Sequence, residues 1–231
     1  MLEIKNLNVN NVLENITLSF QKGKTYVIMG SNGVGKSTLL HAIMGRPDIE
    51  VSGEVILNDE TISDKEVHER AKAGLFLGFQ TPTPIPGLSN FQMLKQALEL
   101  SGADIVPQLK KFKELSSDLC LPDMWDRKSI NTDASGGEKK KNELIQMNML
   151  DVNVAMLDEP DSGLDVDGID SLIKSLNEWK SPDRTLIVVT HYEKLISGLD
   201  PDTVIILKPT GAVVGEIDLA HRIFESGFKS V

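Results

Sequence analysis

The chain has 231 residues, 40% hydrophobic and 25% charged, with 34 acidic against 24 basic side chains and a net charge of −10. That length suits one large core, or a core with a smaller inserted lobe, and the acidic balance argues against a general polyanion binder, so no nucleic acid is expected as a partner. No apolar run approaches the ~18 residues of a membrane span, and a lone Cys120 with four histidines can build neither a disulfide nor a four-ligand iron–sulfur or zinc site within one chain. The expectation is a cytoplasmic protein of a reducing compartment with no direct membrane insertion. Met1-Leu2-Glu3-Ile4 reads as the start of folded structure without a leader. Cys120, in Leu119-Cys120-Leu121-Pro122, is expected in the core or at its edge.

Residues 2–9 and 16–20 alternate apolar and polar side chains and read as short strands, with another at Val55 to Leu57. Thr25 to Met29 reads as a buried strand running straight into Gly30-Ser31-Asn32-Gly33-Val34-Gly35-Lys36-Ser37-Thr38. Leu39, Leu40, Ile43 and Met44 then mark one face of a helix stopped by Gly45 and Pro47. Leu75 to Phe79 is a second core strand, ending at Gln80. The proline-rich run Thr81 to Gly87 reads as a stiff connector, neither helix nor central strand. Ser89-Asn90-Phe91-Gln92 has capping-box spacing ahead of the apolar stripe Leu94, Ala97 and Leu98. A second helix carries Leu109, Phe112 and Leu115, and a third starts after Gly137 and runs through Leu144, Ile145 and Met149. Strand Val154 to Leu157 follows, then a helix with Ile169, Leu172, Ile173, Leu176 and Trp179, ended by Pro182. Strands Leu186 to Val189 and Val204 to Leu207 come next, and Gly211 turns the chain into a strand from Val213 to Ile217. This order predicts an α/β core over 1–80 and 147–231, interrupted by a helical lobe over 81–146.

The chemistry sits at the ends of the predicted strands. Glycines 30, 33 and 35 let the backbone N–H groups of Gly33 to Ser37 approach β- and γ-phosphates closely, at a helix N-terminus that favours anions. Lys36 adds a full positive charge, and the Ser37 hydroxyl can ligate Mg²⁺. Asp158 ends an apolar strand, where an unpaired carboxylate is costly unless it holds a cation. Glu159 follows at once and is placed to polarise an attacking water. His191, after Thr190 at another strand end, is expected to bond the γ-phosphate and that water. Gln80 is both an oxygen donor near Mg²⁺ or water and the hinge to the lobe. Ser135-Gly136-Gly137-Glu138 opens a helix whose free N–H groups form a second anion site. Lys139-Lys140-Lys141 reads as a solvated helix face, with a local contact to nucleotide or partner as the alternative, and His41, His68 and His221 are given no role.

Taken together, Gly30 to Thr38, Gln80, Ser135 to Glu138, Met156-Leu157-Asp158-Glu159-Pro160-Asp161-Ser162-Gly163-Leu164-Asp165 and Thr190-His191 resemble the ABC ATPase family over nearly the whole chain. The resemblance implies an α/β P-loop ABC ATPase fold: a RecA-like core, an N-terminal antiparallel β-subdomain and an inserted helical subdomain. It implies ATP and Mg²⁺ as cofactors. It also implies a head-to-tail, ATP-dependent homodimer in which Ser135, Gly136, Gly137, Glu138 and Asp165 contact the partner copy's ATP.

Within that family the chain is similar to the ATPases of Suf iron–sulfur cluster assembly (SufC). The resemblance rests on Phe76-Leu77-Gly78-Phe79-Gln80-Thr81-Pro82 through Gly87, Glu138-Lys139-Lys140-Lys141-Asn142-Glu143, Glu159 to Asp167, Thr190-His191-Tyr192 and Gly227-Phe228. It implies a SufB-like scaffold partner, with a SufD-like one beside it, docking on the segment after Gln80. Transporter cassettes usually carry a Gln-Arg, Ala-rich helix after the signature, and a transporter subunit is the alternative. Ala134 and Pro160 depart from the usual pattern without removing a catalytic group. No aromatic precedes Phe20, which puts the usual stacking platform for adenine in doubt.

Overall fold

The computed structural model describes residues 1–9, 12–100 and 104–228. Strands β1 (Leu2–Val9) and β2 (Leu13–Phe20) open the chain, and β3 (Thr25–Met29) runs into helix α1 (Lys36–Met44). Then come β4 (Val51–Leu57), β5 (Glu60–Thr61), α2 (Val67–Lys72) and β6 (Leu75–Gly78). Between β6 and the next core strand lie β7 (Ile85–Ser89), α3 (Asn90–Leu100), α4 (Ile105–Asp118), a 3-10 turn at Trp125–Arg127, β8 (Ser129–Ile130) and α5 (Gly136–Met149). The chain continues through β9 (Val154–Asp158), α6 (Val166–Trp179), β10 (Thr185–Val189), α7 (Glu193–Leu199), β11 (Thr203–Lys208), β12 (Gly211–Gly215) and α8 (Ile217–Ser226).

Three sheets result, a six-stranded one in the order β12-β11-β3-β10-β9-β6, a four-stranded one in the order β2-β1-β4-β5, and the pair β7-β8. In the large sheet β11, β3, β10, β9 and β6 run parallel and β12 pairs antiparallel at one edge. Every residue of β3, β9 and β10 is buried, which is why these strands are continuous apolar runs covered on both faces. Alternate residues part the two faces. Ile28, Met156, Ile187 and Val189 pack with α1 and the four-stranded sheet, whereas Ala155, Leu157, Leu186 and Val188 pack with residues of α5 and α6. Strands β1 and β2 bury one face only, so their sequences alternate. The α/β class, the antiparallel N-terminal sheet and the helices between β6 and β9 match what the resemblance implies.

Several expectations change in detail. Strands β2 and β4 are longer than expected, starting at Leu13 and Val51. Strand β6 stops at Gly78, two residues short of Gln80, because the Phe79 N–H leaves the ladder to bond the Glu143 carboxylate at 2.9 Å. The proline-rich connector contains β7, which pairs with β8 through Ile85 and Ser89; the irregularity between them holds Pro86, which has no N–H to donate. The capping box is present, with the Gln92 N–H on Ser89 Oγ at 3.1 Å and the Ser89 N–H on Gln92 Oε1 at 3.0 Å. Strand β12 ends at Gly215, and Ile217 begins α8 instead of closing the strand. Cys120 is exposed, not in the core: it follows the end of α4 with φ of 52° and turns its thiol outward. Lys140 is not on a solvated face either, being 5% exposed beneath the β6 exit. Helices α2, α7 and α8 carry no expectation from the sequence; α2 buries Arg70 alone and so has no apolar stripe. The residues of α3 and α4 share one hydrophobic cluster with α5, α6, β9 and β10, so the helical segment and that face of the sheet have a common core in which α5 is the element next to β6.

Candidate functional site

The loop from Gly30 to Gly35 joins β3 to α1, and Gly35 caps the helix in a left-handed conformation with φ of 107°. A Cβ there would sit 2.9 Å from Val12 Cγ1, so the position needs glycine for both its angle and its space. Val34 donates to Ser31 O at 3.2 Å, closing the turn. The first N–H groups of α1 then border a cavity of about 380 Å³ lined by Lys36, Ser37, Thr38, Gln80 and Glu159 among others. The Lys36 ammonium folds over the loop, donating to Gly30 O at 2.9 Å and Ser31 O at 3.2 Å. Burial pushes its pKa down, while Glu159 and Asp158 pull it back up. A polyphosphate in this cavity would meet backbone donors, a helix N-terminus and a cation together.

Asp158 is the last residue of β9 and only 2% exposed. Neither of its carboxylate oxygens has a hydrogen-bond partner. Burial raises its pKa, an effect the neighbouring Ser37 hydroxyl partly opposes. A buried, unpartnered carboxylate beside a hydroxyl suits a hard divalent cation such as Mg²⁺, with Ser37 and the Gln80 amide oxygen as further donors.

Glu159 adopts φ of 45°, unusual for a non-glycine residue, and its N–H bonds Val189 O at 2.9 Å at the end of β10. Strain of this kind persists only where the surroundings hold it, here the neighbouring strand end. The Gln80 amide donates to Glu159 Oε2 at 2.7 Å, so two residues 79 positions apart meet over the cavity. His191 follows β10, with Nε2 buried and unpartnered and its ring edge-on to Phe228 at 5.8 Å. Burial first, and then the Lys36 charge, push its pKa down and favour the neutral imidazole. Thr190 Oγ1 donates to Asp161 Oδ1 at 2.7 Å, tying this strand end to the loop after Glu159.

Ser135 caps α5 in a full capping box: the Glu138 N–H bonds Ser135 Oγ at 3.2 Å, and the Ser135 N–H bonds Glu138 Oε2 at 2.7 Å. That leaves the N–H groups of Gly136 and Gly137 for an anion, a narrower donor set than the sequence suggests. Asp165 likewise caps its own helix, accepting from the Gly168 N–H at 2.8 Å. Asn32, Gly33, Gly35 to Thr38, Gln80 and Glu159 line this one cavity, and Asp158 lines a neighbouring one that shares Ser37 and Gln80 with it; Gly30, Ser31, Val34, His191, Ser135, Gly136, Gly137, Glu138 and Asp165 do not line the first. A larger cavity, of about 620 Å³ near Phe112 and Trp125, touches none of these motifs. Sequence reasoning named Lys140, Glu143, Thr190, Asp161 and Phe228 only within motif runs and gave them no place of their own in the site. Among these only Lys140 and Glu143 gave a local signal, as charges at positions where α5 otherwise turns apolar residues inward.

The sequence matches the ABC transporter family over residues 13–162. It is 37% identical to a probable ABC transporter ATP-binding protein of Streptococcus pyogenes serotype M3, over 100% of this chain and 94% of that protein. It is also 37% identical to a probable ATP-dependent transporter of Synechocystis, over 99% and 94% of the two chains. A cassette solved as a dimer in a post-hydrolysis state with ADP and Pi superposes with a TM-score of 0.79 at 21% identity, covering 94% of this chain and 99% of that one. The ATP-binding subunit of an ABC transporter superposes at 0.81 and 24% identity, covering 97% and 93%. With a match over most of its length and the phosphate-loop geometry in place, the chain belongs to the ABC transporter family of ATP-binding cassettes and is an ATPase that uses ATP with Mg²⁺.

Proposed function

We propose that this ATPase is the ATP-hydrolysing subunit of a Suf-type iron–sulfur cluster assembly machinery, driving rearrangement of a SufB-like scaffold with a SufD-like subunit beside it. The observation that carries it is the continuation of the signature, Lys139-Lys140-Lys141-Asn142-Glu143. Its Lys140, Asn142 and Glu143 are buried and hydrogen-bonded, so the Suf-like residues are structural parts of α5 and not surface variation. The proposed surface for the scaffold is the segment from Thr81 to Gly87 with the start of α3, where Phe79 and Ile85 are each 45% exposed. Residues 81–146 act as the moving helical subdomain and the remainder as the catalytic core.

In this scheme Gly30, Ser31, Asn32, Gly33, Val34, Gly35, Lys36, Ser37 and Thr38 hold the ATP phosphates. Ser37, Asp158 and Gln80 hold Mg²⁺, which when bound neutralises phosphate charge. Glu159 polarises the water and His191 orients it against the γ-phosphate. The Gln80 amide donates to Glu159 Oε2, which leaves Oε1 for the water and ties the position of Gln80 to that of the carboxylate. Two copies pair head-to-tail, and Ser135, Gly136, Gly137, Glu138 and Asp165 of each meet the other's nucleotide. The solved dimeric cassettes support such pairing in the family.

A second reading, the nucleotide-binding subunit of a membrane transporter, is favoured by the names of the relatives, a probable ABC transporter ATP-binding protein and a probable ATP-dependent transporter. Among the described residues no helix is long and apolar enough to cross a membrane. Affinity purification of the tagged protein from its own cells separates the two. A soluble scaffold that co-purifies and stimulates ATP turnover supports the assembly role; an integral permease recovered from the membrane fraction through the same surface overturns it.

A further inference from the structure

Two charged side chains are buried on α5 where apolar ones would fill the same space. Lys140 is 5% exposed and Glu143 is 7% exposed, among Leu144, Ile145 and Met147. Burying either charge is costly unless its hydrogen bonds are satisfied. Both satisfy them on the backbone where β6 leaves the sheet. Glu143 Oε1 accepts the Phe79 N–H at 2.9 Å, and Lys140 Nζ donates to Phe79 O at 2.5 Å and to Asp158 O at 3.1 Å. Phe79 O belongs to the peptide group that leads into Gln80. The peptide groups on both sides of the Phe79 Cα are thus gripped by one helix.

The other side of α5 is fastened just as firmly. Asn142 Oδ1 accepts from Trp125 Nε1 at 2.8 Å, and Asn142 Nδ2 donates to Asn90 Oδ1 at 2.8 Å, at the start of α3. One helix therefore holds the Trp125 turn and α3 through Asn142, and the Gln80 approach through Lys140 and Glu143. We infer that Lys140 and Glu143 are positioning residues for ATP hydrolysis, setting the place of Gln80 over Glu159 according to the position of α5. A movement of α5, whose N-terminus carries Ser135 to Glu138, shifts the Gln80 backbone with it. Misplacement of about 1 Å at such a group costs up to roughly a hundredfold in rate.

A double-mutant cycle on the full chain tests this, with steady-state ATPase kinetics, ATP affinity from a fluorescent analogue, and the melting temperature of each variant. Glu143→Leu removes the acceptor and is expected to lower kcat about tenfold, with ATP affinity within about twofold of wild type, a loss confined to the chemical step. Glu143→Gln keeps an acceptor oxygen in a side chain of the same size and is expected to recover most of that loss. In a Gln80→Ala background, Glu143→Leu is expected to cost nothing further, because its effect passes through Gln80. Equal fold-losses with and without Gln80, or an unchanged kcat in Glu143→Leu, would overturn the inference. So would a parallel collapse of ATP affinity. Should Glu143→Leu fail to fold, the same cycle run with Lys140→Met, which keeps the length of the side chain and loses the donor, carries the same outcomes. The cycle needs no partner protein, so its result stands apart from the identity of the scaffold.

Discussion

Changing Asp158 to Asn should stabilise the free protein and abolish its response to Mg²⁺. The side chain is 2% exposed, and both carboxylate oxygens lack partners. An ionised carboxylate so placed costs several kcal/mol, whereas a neutral amide of the same shape leaves a buried polar group short by about 1–3 kcal/mol. The difference predicts a nucleotide-free variant more stable by about 1–2 kcal/mol, which for a chain of this size raises the melting temperature by roughly 3–6 °C. With Mg²⁺ and ATP the order reverses. Wild type gains about 2.7 kcal/mol when the ligand stands a hundredfold above its Kd, and the variant gains only what metal-free ATP supplies through the phosphate loop. Differential scanning fluorimetry in four conditions (no ligand, Mg²⁺, ATP with chelator, and Mg²⁺ with ATP) reads both effects. A free variant that melts below wild type, or an identical Mg²⁺-dependent shift in the two proteins, refutes the reasoning.

Gly35→Ala should lose nucleotide binding by at least tenfold in a filter-binding assay, because φ of 107° and the 2.9 Å approach to Val12 force the loop to move. Glu159→Gln should bind ATP yet turn it over at least a hundredfold more slowly, so that ATP-bound dimers accumulate in light scattering; a monomer with normal turnover would contradict both the catalytic role and the pairing. Ile85→Asp, at a side chain 45% exposed, should abolish stimulation by the scaffold and leave basal ATPase within about twofold. Burial pushes the Glu143 carboxyl up to about 7 from 4.5, so between these values the folded state keeps a proton that the unfolded state has lost. Stability should therefore fall by about 3 kcal/mol as pH rises through that window and level off above it. Denaturant midpoints across pH should show that slope in wild type and a flatter one in Glu143→Gln.

The elements most legible in the sequence are those whose signal is local. Thr25–Met29 appears with the bounds expected because a strand covered on both faces must be apolar at every position. The phosphate loop reads directly because its donors are consecutive backbone N–H groups, and only the residues between Gly30 and Thr38 decide whether they are accessible. Ser135 reads as a helix start because its capping partner Glu138 is three residues away. Asp158 is suspect from sequence alone, as a carboxylate closing an apolar strand. The proline-rich connector reads less well, since β7 depends on a partner strand some 40 residues further on.

What local pattern determined, then, is the fold class, the order of the main core strands with helices α1, α3, α4, α5 and α6, and the residues proposed to meet a nucleotide. What only packing decided is which groups touch. Gln80 and Glu159 lie 79 positions apart and meet because β6 and β9 are parallel neighbours that end on the same side of the sheet. Lys140 sits in a run of three lysines that reads as solvated, yet it is buried because the β6 exit and the end of β9 present Phe79 O and Asp158 O beneath that one turn of α5. Its periodicity on the helix says which face it occupies, but the carbonyl groups that make burial of an ammonium tolerable come from strands 61 and 18 residues away. Backbone acceptors carry no residue-specific mark in a sequence, so their position becomes known only when the chain has folded.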